Sequence, residues 1–209
     1  MQSLSTFKRL AAILLLMGLV QAPLAHSAHI EIQPGTTSAN AGDLISLDLV
    51  ISGLGNYVPD SLGAFDISVG FDATALSFTG YSLGGFLGNI ALLEAIDAST
   101  GNVVSGAANV AEVSLLSALD LDTLQPGAFT LATLNFTVIN LAAGAATQLS
   151  VLLDDAVLAD GSGSRLSATA SGPASIQSVP VPATLLLLIT GLCGWLIQMK
   201  RQSSLHQVH

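Results

Sequence analysis

The chain has 209 residues, of which 51% are hydrophobic and only 9% are charged. All fourteen acidic residues lie between residues 28 and 178, where Arg165 is the only lysine or arginine, so one positive charge against fourteen negative ones gives this segment a net charge of −13. Such a charge keeps a domain soluble and repels nucleic acid, which argues against a nucleic-acid partner. The single cysteine, Cys193, lies outside the segment, so disulfides cannot stabilise it and core burial must.

The first 27 residues have the layout of a secretory signal peptide. A short basic stretch precedes an apolar run at residues 10–20, and small residues follow it. The run is shorter than the roughly 17–25 residues of a comfortable membrane span. We therefore expect export, with cleavage between Ser27 and Ala28; an uncleaved anchor or a buried helix is the alternative.

Residues 28–178 form one domain of ordinary size, in which apolar and polar residues alternate as in half-buried β-strands. The alternation is clearest at 45–52 and 65–72, and it recurs at 76–79 and 149–153. Turn residues separate these runs, and no long helical periodicity occurs. Many short strands with frequent turns predict an all-β sandwich.

Two finer features of this strand pattern can be read from the sequence. The run at 129–139 ("FTLATLNFTVI") changes phase, because Phe129 and Leu131 alternate in one register and Leu134 and Phe136 in the other. A phase change predicts a bulge near residues 132–133, or a strand covered on both faces. The composition shifts to Gly, Ser, Ala and Thr after residue 160, and a last strand is predicted at 174–177.

Several stretches of this domain resemble a known family. The segments "IEIQPGTTSANAGDLISLDLVISGL" and "LGAFDISVGFDATALSFTGYSLGGFLG" resemble the opening strands of a cohesin-type domain, and "LQPGAFTLATLNFTV" is similar to its late strand pattern. The resemblance covers about residues 30–176. It implies a β-sandwich of about nine strands with jelly-roll topology, in a module that binds a partner protein through one sheet face. Cohesins bind dockerin modules; a duplicated calcium loop of the dockerin type does not occur in this sequence.

A charge-free apolar run at residues 183–199 predicts a transmembrane helix. Its length is at the lower limit of a span, and the basic pair behind it would stay on the cytoplasmic side, with 203–209 as a cytoplasmic tail. A buried helix of the domain is the alternative, although buried helices rarely run this long without a polar face.

The segment 179–202 resembles the PEP-CTERM sorting signal, which combines a proline motif, a short span and basic residues. The residues that carry this resemblance are Val179, Pro180, Val181, Pro182, Ala183, Thr184, Lys200 and Arg201. Val181 occupies the place where the family usually has glutamate. The resemblance implies processing near residues 180–182 by an exosortase-type protease, with inner-membrane anchoring beforehand and release to the cell surface or extracellular matrix afterwards.

The domain has few groups that could support catalysis. It contains no cysteine or lysine, and its one histidine, His29, is near its start, which removes most triads, Schiff bases and thiol chemistry. Asp154 and Asp155 are adjacent on a strand and should point to opposite faces. Asp66 and Asp72 should lie about 20 Å apart at the rise of a strand, too far for paired glycoside hydrolysis. We therefore expect no enzymatic activity.

Two clusters of acidic residues are weaker candidates for a metal site. Asp154, Asp155 and Asp160, with the turn "ADGSGS", offer the hard oxygen ligands that calcium prefers. Their spacing does not fit an EF-hand loop and Asp-Gly is a common turn signal, so we expect a turn, with calcium as the alternative and no other cofactor. Glu112 with Asp120 and Asp122 is expected in an exposed loop.

The sequence therefore predicts an exported, non-catalytic β-sandwich that binds or scaffolds at a bacterial surface or in an exopolysaccharide matrix. Its partner would be a protein, and protein–protein adhesion through a sheet face is the preferred function. Carbohydrate binding is the alternative. It is disfavoured because the chain has only two tyrosines, and its one tryptophan, Trp195, lies in the terminal apolar run.

Overall fold

The computed structural model describes residues 27–104 and 106–179, together with six positions of the terminal apolar run: 187, 188, 191–193 and 195. These six positions are helical and exposed. No helix within the described residues is long and apolar enough to cross a membrane. Residues 1–26 of the predicted signal peptide, most of the predicted sorting signal and span, and the tail at 203–209 lie outside the described residues.

The described residues between 27 and 179 contain eleven strands, one α-helix and one 3₁₀ turn. The strands are β1 (Ser27–Pro34), β2 (Leu44–Ser52), β3 (Leu62–Phe71), β4 (Leu76–Leu83), β5 (Ala95–Asp97), β6 (Gly101–Val104), β7 (Ala107–Ser114), β8 (Ala128–Val138), β9 (Ala146–Asp160), β10 (Ser167–Ala170) and β11 (Ala174–Gln177). The helix α1 is Ala118–Leu124 and the 3₁₀ turn is Ile90–Leu92. The all-β prediction is confirmed, and four strands of only three or four residues raise the number above nine.

The strands form two sheets that pack face to face. Sheet 1 has the order β10-β1-β2-β8-β4, and sheet 2 has the order β11-β9-β3-β7-β5, with β6 also paired to β7. Every pair is antiparallel except β1 with β10, which is parallel. The chain changes sheet at most connections, so neither sheet can form its core without the other.

The alternating residues of each strand build that core, as their period of two predicts. Ile45, Leu47, Leu49 and Ile51 of β2 are all buried, as are alternate residues of β3. Phe136 lies at the centre of an aromatic group, with edge-on contacts to Phe71 and Phe78 at ring distances of 5.0 and 5.4 Å. Such offset pairs add to the stabilisation that burial alone gives.

The predicted irregularity in the run at 129–139 is a bulge in β8. Leu49 pairs with Ala132 and Val50 pairs with Thr130, which leaves Leu131 as the extra residue. Leu131 and Ala132 are both buried. The bulge therefore allows two consecutive apolar side chains to be covered and lies one residue before the predicted position.

The helix α1 is a feature that the sequence analysis missed. Ser117 caps it, because its Oγ accepts a hydrogen bond from the Asp120 amide at 3.3 Å and donates one to the Asp120 carboxylate at 2.6 Å. This Ser-x-x-Asp pattern is a helix-start signal of the capping-box type. With only seven residues, the helix is too short for its periodicity to be seen in the sequence.

The loops gather at the two ends of the sandwich. The first end holds Ser27, the loop at 53–61, α1 and the turn at 161–164, and the second end holds the loops at 35–43, 72–75 and 139–145. The chain leaves the sandwich at Val179, at the second end, where the Ser178 amide donates to the Ala145 carbonyl at 2.8 Å.

Candidate protein-binding face

The outer face of sheet 2 carries small and apolar side chains in register across four strands. Two neighbouring cross-strand rows contain Ile96, Val113, Ala64 and Ala159 in the first and Ala111, Asp66 and Val157 in the second. Ile96, Val113 and Val157 are 50%, 41% and 48% exposed. We call these two rows, apart from Asp66 and the buried Ala111, the apolar face. Exposed apolar side chains that share one surface are typical of an interaction site.

A single polar group interrupts the apolar face. Asp66 Oδ1 accepts a hydrogen bond from Asn109 Nδ2 at 2.6 Å, and the same amide nitrogen lies 3.4 Å from Ser68 Oγ. Asn109 Oδ1 in turn accepts from the amide and the hydroxyl of Thr100. These bonds fix the exposed Asp66 carboxylate in one position, where it offers a directional acceptor to a partner's hydrogen-bond donor.

Leucines from the adjoining loops extend the apolar face at the first end of the sandwich. We call Leu92, Leu93, Leu115 and Leu119 the leucine rim; they are 67%, 79%, 56% and 72% exposed. A backbone hydrogen bond of 2.7 Å from the Leu115 amide to the Glu94 carbonyl joins the loop before β5 to the end of β7. The leucine rim and the apolar face are therefore held together by the β5–β7 pairing.

The conformation of Leu93 is strained. Its φ of 59° and ψ of 33° place it in the left-handed region, which costs a branched residue about 1–2 kcal/mol. The turn is held by Asn89, whose side chain accepts from the Ala91 amide at 2.9 Å, and by Glu94, whose carboxylate accepts from the Asn89 amide at 2.9 Å. The strained residue exposes its side chain at the leucine rim, and backbone strain of this kind is concentrated at functional sites.

Gln125 attaches α1 to the sandwich. Its buried amide accepts from the Leu62 amide at 2.7 Å and donates to the Leu62 carbonyl at 2.7 Å and to the Phe86 carbonyl at 3.0 Å. Leu121 of the helix is also buried. Leu119 is thus displayed by a helix that is fixed at its C-terminal end, and nothing in the local sequence indicated this role for Gln125.

The outer face of sheet 1 is different in character. Apart from the exposed Leu44 at the start of β2, it presents mainly hydroxyl, amide and carboxylate groups, among them Ser46, Asn135 and the bonded pair Thr133 and Asp48 at 2.6 Å. The aromatic side chains of the described strands pack against the core rather than onto either outer face. Sheet 1 therefore resembles an ordinary solvated surface, and sheet 2 does not.

Glu112 lies beneath the apolar face, which corrects the prediction that it belongs to an exposed loop. It is fully buried on β7, pairs with Phe65 on one side and Asp97 on the other, and neither carboxylate oxygen has a hydrogen-bond partner. Burial first, and the charge of Asp97 second, raise the pKa of Glu112 to about 7. Asp120 and Asp122 are on α1 and do not join it.

Asp97 is exposed at the edge of the same cluster. Its Oδ2 accepts from the Tyr81 hydroxyl of sheet 1 at 2.9 Å, and its Oδ1 accepts from the Ser99 amide at 2.9 Å. Partial burial acts to raise the pKa of Asp97, but the hydrogen bonds from Ser99 and then Tyr81 outweigh it and hold that pKa below its usual value. Asp97 is therefore a fixed negative charge beside Glu112.

The structure separates the residues that were considered for calcium. Asp154 and Asp155 are exposed within β9, whereas Asp160 ends that strand and accepts from the hydroxyl and amide of Ser162 and from the Ser164 amide. The side-chain bond from Ser162 is the main reason why the pKa of Asp160 lies below its usual value. This is the turn that the sequence predicted.

A cleft of about 210 Å³ at the first end is lined in part by Asp60, Asp122 and Asp160. Even so, no group of three or more histidine, cysteine, aspartate or glutamate side chains among the described residues is arranged to hold a metal ion.

The sandwich formed by the two sheets is similar to solved structures of cohesin domains. The fold is that of a cohesin domain. A type I cohesin–dockerin complex from Clostridium thermocellum aligns with a TM-score of 0.58 at 11% identity, covering 77% of this chain and 99% of the other. A type II cohesin domain from the cellulosome of Acetivibrio cellulolyticus aligns with a TM-score of 0.57 at 19% identity, covering 72% and 95%.

A third similar structure, the solution structure of a cohesin from Clostridium acetobutylicum, gives a TM-score of 0.56 at 15% identity and covers 74% of this chain and 92% of the other. No protein-family model and no curated protein matches the sequence. The likeness to cohesins is thus a likeness of fold.

Proposed function

We propose that this domain is a non-catalytic module that binds a partner protein through the apolar face and the leucine rim. The observation that carries the proposal is the contrast between the two outer faces, because only sheet 2 leaves apolar residues of neighbouring strands exposed side by side. Burying such a surface is favourable by about 25 cal/mol for each Å² removed from water. The cohesins to which the chain is similar include complexes with dockerins, which supports a protein as the partner.

The charge of the domain supports a basic partner. Its net charge of −13 attracts lysine and arginine side chains over distances of about a Debye length, and it accelerates their association. Asp66 in the middle of the apolar face gives one of those cations a fixed acceptor. We therefore expect a partner surface that combines apolar residues with at least one basic side chain.

The test is the capture of partners from extracts of the native host by three forms of the chain. Val113→Arg places a charge on the apolar face, whereas Asn135→Arg adds the same charge to the outer face of sheet 1 and serves as the matched control. We expect Val113→Arg to weaken capture of the specific partner at least tenfold and Asn135→Arg to leave it unchanged. Equal capture by both variants would show that sheet 2 is not the binding face.

We also propose that the chain is exported and acts at the cell surface or in the matrix after processing of its terminal segment. The tripartite layout at 179–202 and the signal-peptide layout at the N-terminus support this placement. The measurement is the intact mass of the native protein in membrane, surface and medium fractions. A mass ending near residue 182 outside the membrane is the expected result, and a mass running to His209 in the membrane fraction would contradict processing.

A further inference from the structure

Glu112 is the one carboxyl group in the described residues that is buried without any hydrogen-bond partner on either oxygen. It lies in register between Phe65 of β3, which is apolar, and Asp97 of β5, which is negatively charged. An ionised carboxylate in such a place lacks the hydrogen bonds or opposite charge that buried ions need. The site tolerates a neutral carboxylic acid and disfavours a carboxylate.

No charge on the surrounding elements compensates Glu112. The strands β3, β4, β5 and β7 contain no lysine or arginine. The acidic groups nearby are Asp97, which bonds Tyr81 of β4, and Glu94, whose carboxylate is used by the Asn89 amide. Asp66 of β3 points to the opposite face, where it bonds Asn109. An ionised Glu112 would therefore be repelled by the Asp97 carboxylate, and no positive charge on these strands would offset the repulsion.

The element that can respond is β5. It has only three residues, it lies at the edge of sheet 2, and its pairing with β7 runs from Ala95 and Ser114 to Asp97 and Glu112. The Ala98 amide extends this pairing with a 2.9 Å bond to the Ala111 carbonyl. Short edge strands open locally at a small fraction of the cost of global unfolding. Glu112 is thus paired with the last residue of the shortest strand of the sheet.

We propose that Glu112 is a proton-controlled latch for β5: the neutral side chain lets β5 pair with β7, and the ionised side chain releases β5 together with Ile96 and the adjoining part of the leucine rim. This inference rests on the proposed function only in that Ile96 and the leucine rim belong to the proposed binding surface. A binding surface with such a latch is assembled in mildly acidic conditions and loosened in alkaline ones.

Proton linkage gives the direction in which pH shifts the equilibrium between the paired and the open state of β5. With a pKa of about 7 in the paired state and the ordinary 4.5 when β5 is open, the paired state binds the proton more tightly. Raising the pH therefore favours the open state, by roughly 30-fold between pH 5.5 and pH 8.5. Well below pH 4.5 the group is neutral in both states and the latch has no further effect.

The experiment is amide hydrogen exchange of the purified chain at pH 5.5, 7 and 8.5, followed in peptides that cover residues 94–98. Glu112→Gln keeps the shape of the protonated side chain and cannot ionise. Glu31→Gln makes the same chemical change at an exposed position of β1, in the other sheet, and serves as the control. The ratio of wild-type to Glu112→Gln exchange at each pH cancels the intrinsic effect of pH on exchange. We expect this ratio to rise on the order of 30-fold from pH 5.5 to pH 8.5.

The Glu31→Gln variant should follow the wild-type chain at each pH. A ratio that stays flat with pH would overturn the latch, and so would an equal loss of pH dependence in both variants. If Glu112→Gln fails to fold, Glu112→Leu replaces it, and the ratio of wild-type to Glu112→Leu exchange is expected to rise with pH in the same way. Hydrogen exchange needs no partner, so failure to capture a partner does not contradict the latch. Conversely, a flat exchange ratio does not contradict the proposed binding face.

Discussion

At the scale of single residues, the burial of Glu112 lowers the stability of the folded domain. A carboxyl group buried at this position could be replaced by an apolar side chain of similar size with a gain in stability, as is often true of buried ionic groups. Phe65 and Val110 next to it would pack against such a side chain. The presence of a glutamate here is explained by what its ionisation does rather than by what it adds to stability.

Glu112 makes a prediction about global stability as well as about β5. Its folded pKa of about 7 is above the ordinary 4.5, so its contribution is present below pH 4.5 and is lost as the pH rises towards and through 7. We expect the free energy of unfolding of the wild-type chain to fall by up to about 3 kcal/mol between pH 5 and pH 8.5. Urea denaturation at a series of pH values measures it.

The matched comparison is Glu112→Leu, which should remove this fall and unfold at a higher urea concentration than the wild-type chain at pH 8.5. A wild-type chain whose stability is the same at pH 5 and pH 8.5 would contradict the burial of an ionisable Glu112. If β5 opens first, the measured fall is smaller than 3 kcal/mol, since local opening releases the charge before the domain unfolds.

The sequence could not place Glu112 because both phases of its strand are plausible. In "NVAEVS" (109–114) Val110 lies in one register and Ala111 and Val113 lie in the other, and a glutamate normally marks the exposed register. Only the pairing with Phe65 shows that Glu112 faces inwards. The strands at 45–52 and 65–72 were predicted correctly because their polar and apolar residues separate without such a conflict.

At the scale of elements, the position of α1 depends on Gln125. Its side-chain amide satisfies the backbone donor and acceptor of Leu62 and the carbonyl of Phe86, all at the first end of the sandwich. Buried backbone groups that lose their partner cost about 1–3 kcal/mol each. A side chain from one loop thus fixes two other segments of the chain.

We expect Gln125→Ala to lower the free energy of unfolding by about 2–4 kcal/mol, because it orphans buried backbone groups that water cannot readily reach. Asn56→Ala is the control, since Asn56 accepts a bond of 2.8 Å from the Gly127 amide in an exposed loop. The control should cost less than about 1 kcal/mol. Chemical denaturation of both variants decides the matter, and equal losses would show that burial of Gln125 is unimportant.

At the scale of the whole molecule, the last strands close both sheets. β10 pairs with β1 and β11 pairs with β9, so residues near 170 complete a core that begins at Ala28. The strand predicted at 174–177 is present, but the sequence could not show which strand it joins. β10 pairs with β1, where Ser167 lies opposite Ser27. Pairing at such a separation along the chain depends on the shape of the assembled core, which no local pattern contains.

Truncation after Ser164 tests this closure. It removes β10 and β11, exposes Ile30 and Leu149, which are now fully buried, and deletes Ile176 from the core. We expect this shortened chain to be aggregated or unfolded by circular dichroism and size-exclusion chromatography. A chain that ends after Val179 should give a cooperative thermal transition; a folded, monomeric product from both truncations would mean that the final strands are dispensable.

The exit of the chain at Val179 has a mechanical consequence. β11 runs towards the second end, and its last residues are bonded on both sides: Gln177 pairs with Ala146, its amide donates to the Thr37 carbonyl at 2.9 Å, and its own carbonyl accepts from Ala39. A pull on the chain beyond Val179 acts along the strand, so these bonds are loaded lengthwise and must break together rather than one after another. Tension applied through the tail is therefore shared between both sheets of the sandwich.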